Sequence, residues 1–364
     1  MRSREQALRT DQPKTPGAIA ELDDPKPGSD DPKSSPAADL RHRSYRLPPG
    51  HPSSPIEADG RRKPPGPRLQ DIALPEPVTD TEHAEHVKDI RDRLDKARAH
   101  GLSTDQQHTT DPAREVWSEQ RDALQDSIIE YLYARASDVP CERRAIIAGG
   151  LSGAGKSTVL EKHAGIDLSQ YLTVNPDKIK EEMADRGMVP MVEGLSPMEA
   201  SDLVHEESSY IARQLAMLAQ ADGKNIIWDI TMSSRGKTER RIDELRAVGY
   251  TAIQGIFVEI PVDMAVTRSD GRHRAGQDDY RAGRGMGGRF VPEEVIRAQA
   301  DSAWGSLPRK NFEAVKHRFD TWARYDNSAA APILADAGHQ EEGAHDQRSH
   351  RPDRRPAGRL HEPG

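Results

Sequence analysis

Residues 149–158 read Gly-Gly-Leu-Ser-Gly-Ala-Gly-Lys-Ser-Thr, and Gly150, Gly155, Lys156 and Ser157 fill the pattern G-x-x-x-x-G-K-[ST]. The letters have a physical reason. A loop that wraps a chain of phosphates must aim backbone N–H groups inward, and side chains would block the approach. Glycine leaves that space and permits the tight turn. Before the loop stands Ala145-Ile146-Ile147-Ala148, a short apolar run of the kind a buried parallel strand shows. After it, Ser157–His163 reads as a helix, whose N-terminal end favours anions. Strand, glycine loop and helix in this order imply a nucleoside triphosphate site built from Gly150, Leu151, Ser152, Gly153, Ala154, Gly155, Lys156, Ser157 and Thr158. Lys156 is expected to reach the β- and γ-phosphates, and Ser157 to ligate Mg²⁺. A triphosphate site alone does not separate a kinase from a motor or a switch.

Outward from the loop, strand and helix alternate. Strands are expected at 144–148, 171–174, 225–230, 252–260 and 317–325. Helices are expected at 176–186, 197–221, 234–248, 262–270 and 292–304, with a Gly/Arg-rich loop at 271–289. This alternation calls for a parallel sheet with helices on both faces, an α/β P-loop fold spanning residues 141–328. Upstream, residues 79–140 read as a helical extension. It comprises a charged helix at 81–100 and a stronger one at 112–136, with Trp117, Leu124, Ile128, Tyr131 and Leu132 in an apolar stripe.

The flanks differ. Residues 1–78 are dense in Pro, Ser, Asp, Arg and Lys without an apolar period, and 329–364 form a tail ending in a polar, basic run. Both are expected to be disordered, because they bury too little surface to offset chain entropy. Only 34% of the chain is hydrophobic and 4% aromatic, too polar for one core spread over 364 residues. The net charge of −8 argues against a general nucleic-acid coat. One cysteine, Cys141, excludes an internal disulfide and fits a reducing cytoplasm. No apolar stretch is long enough to span a membrane.

Ligands in such sheets bind beyond the C-terminal strand ends, and three polar clusters fall there. Asp177, in Val174-Asn175-Pro176-Asp177, opens a helix at the rim of the phosphate loop. A carboxylate there is suited to take the proton of an attacking hydroxyl, or only to favour the helix dipole. Asp229 ends the apolar strand Ile226-Ile227-Trp228-Asp229 and matches the acid that orders the Mg²⁺ shell through water. The residue after it is Ile230, not the glutamate with which many motors activate water. Arg268, Arg272, Arg274, Arg281, Arg284 and Arg289, interleaved with glycines, read as a mobile lid over phosphates. In the long helix, Glu207 and Ser208 are candidates for an acceptor pocket, with ordinary helix-internal bonding as the competing reading.

These pieces together resemble the zeta toxin family of P-loop phosphotransferases. The ordered matches are Gly150–Thr158, Val174-Asn175-Pro176-Asp177, His205–Tyr210, Ile227-Trp228-Asp229-Ile230-Thr231 and Gly285–Pro292. The resemblance covers about half of the chain. It implies a kinase that phosphorylates a hydroxyl of UDP-N-acetylglucosamine with ATP and Mg²⁺ and so interferes with cell-wall synthesis. It also implies Asp177 as the base, Lys156 and Ser157 on nucleotide and metal, Asp229 as the third-strand acid and Thr231 facing the sugar nucleotide. Arg268 and Arg289 resemble the family's phosphate-binding arginines. The third-strand acid is Asp here, where well-known members carry Glu. The expected partners are a nucleotide-sugar substrate and an antitoxin protein, or else helices 81–136 folding across their own site. Two other readings remain: a polynucleotide 5′-kinase, disfavoured by the charge and the few aromatics, and an ATP-binding switch or ATPase.

Overall fold

The computed structural model describes residues 79–340 apart from residue 115, so the expected arm at 1–78 and the tail beyond 340 lie outside the described residues. The N-terminal extension contributes α1 (Asp80–Ala99), α2 (Thr104–His108) and α3 (Glu119–Ala134). A capping box of Thr79 and Glu82 opens α1. The second helix starts later than its apolar stripe suggests. Thr109 and Trp117 are joined by a bridge, and the helix begins after Ser118.

The main body follows as β1 (Arg144–Gly149), α4 (Lys156–Lys162), β2 (Leu172–Val174), α5 (Pro176–Asp185), α6 (His205–Ala221), β3 (Ile226–Asp229), α7 (Arg235–Ala247) and β4 (Ala252–Glu259). Then come α8 (Val262–Arg281), α9 (Glu293–Arg297), β5 (Ala300–Asp301), β6 (Gly305–Ser306), α10 (Leu307–Val315), β7 (Thr321–Asp326) and β8 (Ile333–His339). The sheet order is β2-β3-β1-β4-β7-β8, with the first five strands parallel and β8 antiparallel at the edge. Side chains alternate between its faces. Ala145 and Ile147 of β1 join one core with Ile226, Trp228 and Phe257, while Ile146 and Ala148 join the other with Ile227 and Val258. Helices cover both faces, which is why β1 reads as a continuous apolar run.

Four expectations change. The helix expected at 197–221 is a 3₁₀ segment, Ala200–Val204, followed by α6. The helix expected at 292–304 ends at Arg297 and gives way to the small β5–β6 hairpin, whose second strand opens at Gly305 with φ +76°. Helix α10, capped by Ser306 with proline in its first turn, had not been anticipated. Residues 333–339, expected in the tail, form β8, which pairs with β7 from His339 to Ile333. Its exposed Ile333 and Leu334 give no alternating apolar signal.

The largest correction concerns the lid. Residues 271–281 are not loop but the second half of α8, and the connecting segment is only 282–292. The glycines there serve close approach. A Cβ on Gly276 would lie 2.4 Å from Gly288 Cα, and one on Gly288 would lie 2.0 Å from the His273 carbonyl oxygen. The segment around Gly288 therefore packs backbone to backbone on α8.

The extension is integrated with this body. Ile90, Leu94 and Ala97 of α1 are buried against Leu203, with Phe290 packed beside them. Arg98 pairs with Asp202, and Arg91 with Glu294 at 2.8 Å. Among the described residues, no helix is long and apolar enough to cross a membrane.

Candidate active site

Register brings the site together. Ala148 of β1 lies beside Asp229 of β3, and Val174 of β2 beside Trp228. The C-terminal ends of three strands therefore meet at the phosphate loop. Gly150 sits at φ +143°, and a Cβ there would come within 2.4 Å of the Val258 carbonyl oxygen, so only glycine fits the turn. Its N–H reaches the Thr231 carbonyl at 3.3 Å.

Lys156, at the start of α4, turns back over the loop. Its Nζ donates to the Gly150 carbonyl at 3.1 Å and lies 3.4 Å from Asp229 Oδ1. Asn175 Nδ2 donates to the other oxygen, Asp229 Oδ2, at 2.8 Å. Asn175 also caps α5, its Oδ1 accepting from the Asp177 N–H at 2.8 Å. Asp177 in turn is ion-paired with Arg289 of the 282–292 segment. Lysine, third-strand acid, asparagine, candidate base and arginine thus form one continuous polar chain along the strand ends.

From α8, Arg268 donates to the Asn327 carbonyl at 3.1 Å, while Asn327 Nδ2 donates to the Ala154 carbonyl at 2.8 Å. Arg272, one turn on, donates to Ser152 Oγ at 3.1 Å. Of the six arginines expected in the lid, Arg268, Arg272 and Arg289 line the cleft. Arg274 instead pairs with Asp80 of α1, and Arg284 with Asp279.

The cleft over these residues has a volume of about 3380 Å³, well beyond the roughly 300–1,000 Å³ of a single small-molecule pocket. It has room for two ligands. Its lining includes Ser152–Thr158, Asp177, Asp229, Thr231 and Arg268, and also Tyr210, Arg213, Lys237, Arg240 and Arg241, with Trp117 of the extension. Thr231 Oγ1 lies 3.0 Å from Ser233 Oγ, forming a local turn. Below the floor, Lys180 is almost fully buried. Burial and then the charge of Arg289 bring its ammonium down to about 8. Burial and then Lys180 push the neighbouring His205 down to about 4, with 3.4 Å between Lys180 Nζ and His205 Nδ1.

Glu207 does not line this cleft. It is wholly buried, with Arg121 Nε and Nη2 donating to its two oxygens at 2.7 Å each and Gln125 Nε2 at 2.8 Å. This corrects the expectation of an acceptor-pocket residue: the carboxylate anchors α3. Ser208 donates to the His205 carbonyl at 2.8 Å, an ordinary helix-internal bond. Sequence reasoning had passed over Asn175 and Asn327 as site residues. The first carried a signal, an asparagine at a helix cap beside the candidate base. Asn327 carried none.

A family model described as Zeta toxin matches residues 134–329. The chain belongs to the zeta toxin family. The matched span runs from the end of α3 to just past β7 and contains every residue of the polar chain described above. Solved structures similar to this zeta toxin family chain include AvrRxo1-ORF1:AvrRxo1-ORF2 with sulphate ions, at 15% identity and TM-score 0.48, covering 63% of this chain and 72% of that one. The crystal structure of AvrRxo1-ORF1:-ORF2 with ATP is similar at 16% identity and TM-score 0.47, with the same coverage. The PezAT chromosomal toxin–antitoxin system of Streptococcus pneumoniae is similar at 13% identity and TM-score 0.41, covering 58% of this chain and 80% of that one. No curated protein matches the chain. Family membership makes the domain a kinase-like enzyme with a nucleotide site.

Proposed function

We propose that this protein transfers the γ-phosphoryl group of ATP to a hydroxyl of a nucleotide sugar, with UDP-N-acetylglucosamine as the first candidate. The observation that carries the reading is the placement of Asp177 on the same cleft as Lys156 and the phosphate loop. The loop would hold the triphosphate through its backbone N–H groups and Lys156. Asp177 would accept the acceptor's hydroxyl proton as the new O–P bond forms in line and the bond from the γ-phosphorus to the β-bridging oxygen breaks, releasing ADP. Arg268, Arg272 and Arg289 would neutralise charge on the transferring group. The oxygen donors Ser157 and Asp229, at the loop and the adjoining strand end, suit Mg²⁺, which supplies charge neutralisation on the phosphates when bound. Also on the cleft lining, Arg213, Lys237, Arg240 and Arg241 suit the diphosphate of a nucleotide sugar.

The test incubates the protein and γ-labelled ATP with UDP-N-acetylglucosamine, with a 5′-hydroxyl oligonucleotide, or with water alone. Label in the sugar nucleotide supports the proposal; label in the oligonucleotide or release as phosphate only replaces it with the corresponding alternative. Asp177→Asn is expected to keep ATP binding and lose about 10²–10⁴-fold in transfer rate. Full transfer by that variant would remove Asp177 from the base role. An antitoxin partner belongs to the same proposal. Self-inhibition by the extension finds less support, because α1 packs on the core and, among the described residues of the extension, the cleft is lined by Asp105, Pro112, Ala113, Arg114 and Trp117 alone.

A further inference from the structure

Away from the cleft, α1 meets α8 through histidines. His83 and His273 are buried, and Asp270, one turn from His273 on α8, is half exposed. One ligand atom from each of His83, Asp270 and His273 lies within 4.8 Å of the other two. His83 Nε2 and Asp270 Oδ1 are 2.8 Å apart. His273 is held from behind, its Nε2 2.8 Å from Glu199 Oε1. Glu199 is itself buried and also takes His86 Nε2 at 2.7 Å, while the His86 ring stacks on His273. The remaining ring nitrogen of His273, Nδ1, is buried and has no hydrogen-bond partner among the described residues.

That combination has a physical meaning. A buried polar atom without a partner is unfavourable and calls for an explanation. A carboxylate that accepts from one imidazole nitrogen leaves the other as a lone pair, which is how metal-ligating histidines are oriented. Asp270 and His273 are three apart on one helix, so both project toward the same side. Two imidazoles and one carboxylate suit Zn²⁺ and similar transition metals, and disfavour Mg²⁺, which prefers oxygen throughout.

We propose that His83, Asp270 and His273 form a transition-metal site of the Zn²⁺ type that clamps α1 to α8, with water in a fourth position. Tetrahedral zinc with ligands at about 2.0–2.1 Å separates its ligand atoms by roughly 3.3 Å. The His83–Asp270 contact would open slightly and the widest separation would close. The site is independent of the phosphotransferase reading and contains none of its residues.

The experiment uses the full chain, stripped with chelator and dialysed, then titrated with ZnCl₂ by calorimetry in excess MgCl₂. Cobalt(II) is added to a parallel sample. The expected result is one tight equivalent of Zn²⁺ and a visible cobalt absorption band typical of a tetrahedral site. Asp270→Asn and His83→Gln should each weaken binding by at least about tenfold and abolish the band. His317→Gln, a histidine remote from this cluster, should leave both unchanged. Asp270 is half exposed, so its variant tests the site without emptying the core. Zinc at a hundredfold excess over Kd should raise Tm by roughly 5 °C in the wild type and not in Asp270→Asn. Absence of stoichiometric binding by the wild type, or equal affinity in Asp270→Asn and His83→Gln, would overturn the proposal.

Discussion

Replacing Glu207 distinguishes an anchor from a substrate ligand. Its carboxylate is fully buried and receives three hydrogen bonds, two from Arg121 and one from Gln125, while Arg121 also donates to the Met188 carbonyl at 2.7 Å. In Glu207→Ala the Arg121 guanidinium keeps only the Met188 carbonyl and loses its counter-charge inside the protein. Breaking a buried pair on one side costs about 3–5 kcal/mol. At roughly 2–4 °C per kcal/mol for a domain of this size, Tm should fall by about 6–20 °C. Replacing both partners with apolar residues, Arg121→Met with Glu207→Leu, should recover most of the loss, because no charge is then left buried. Melting followed by circular dichroism reads the stability, and transfer assays at a temperature where each variant is folded read the site. Kinetic constants for the folded enzyme should stay near wild type in both. A variant whose Tm is unchanged while its acceptor KM rises would refute the reasoning and return Glu207 to the acceptor pocket.

Three further outcomes are expected. Gly150→Ala places a Cβ against the Val258 carbonyl at an unfavourable φ; it should cost about 2–5 kcal/mol and sharply weaken ATP binding, read by denaturation and nucleotide titration. Ile90→Ala, at a fully buried position of α1, should lower stability by about 2–5 kcal/mol without changing the rate per folded molecule; a faster rate would mean that α1 restrains the site. Because the folded protein holds His205 at about 4, below its ordinary 6.5, the unfolded chain binds more protons between those values. Stability should therefore be fully present above about pH 6.5 and decline as pH falls toward 4, and His205→Gln should flatten that slope in Tm measured against pH.

The phosphate loop and the strand ends were legible because their constraints are local. Gly150 is required by its own φ and by the Val258 carbonyl, and β1 shows its burial on both faces as an unbroken apolar run. Asp177 could be placed because a proline and a capping asparagine mark the start of α5. Glu207 was misread for the opposite reason. Its partner Arg121 is 86 residues away, and no local pattern tells a buried ion pair from a pocket carboxylate. The lid was misread because glycine permits two things, mobility and close approach. Gly276 and Gly288 are used for the second, in a contact that only the folded chain reveals. Strand β8 escaped notice because an edge strand with exposed Ile333 and Leu334 has no buried face to write into its sequence.

Helix α8 is where the cleft and the extension meet. Arg268 and Arg272 stand one turn apart and reach the phosphate-loop side through Asn327 and Ser152. Asp270 and His273 lie between and just beyond them in sequence, yet face α1. At 3.6 residues per turn the mean directions of the two pairs differ by roughly 150°, so one rigid helix carries both on nearly opposite sides. Helix α8 therefore carries the cleft arginines on one side and the groups that meet α1 on the other. The backbone of Gly288 packs on His273, and Arg289 in the adjoining residue pairs with Asp177. Ile90→Ala therefore also asks whether loosening α1 reaches the candidate base, although α1 contributes no side chain to the cleft.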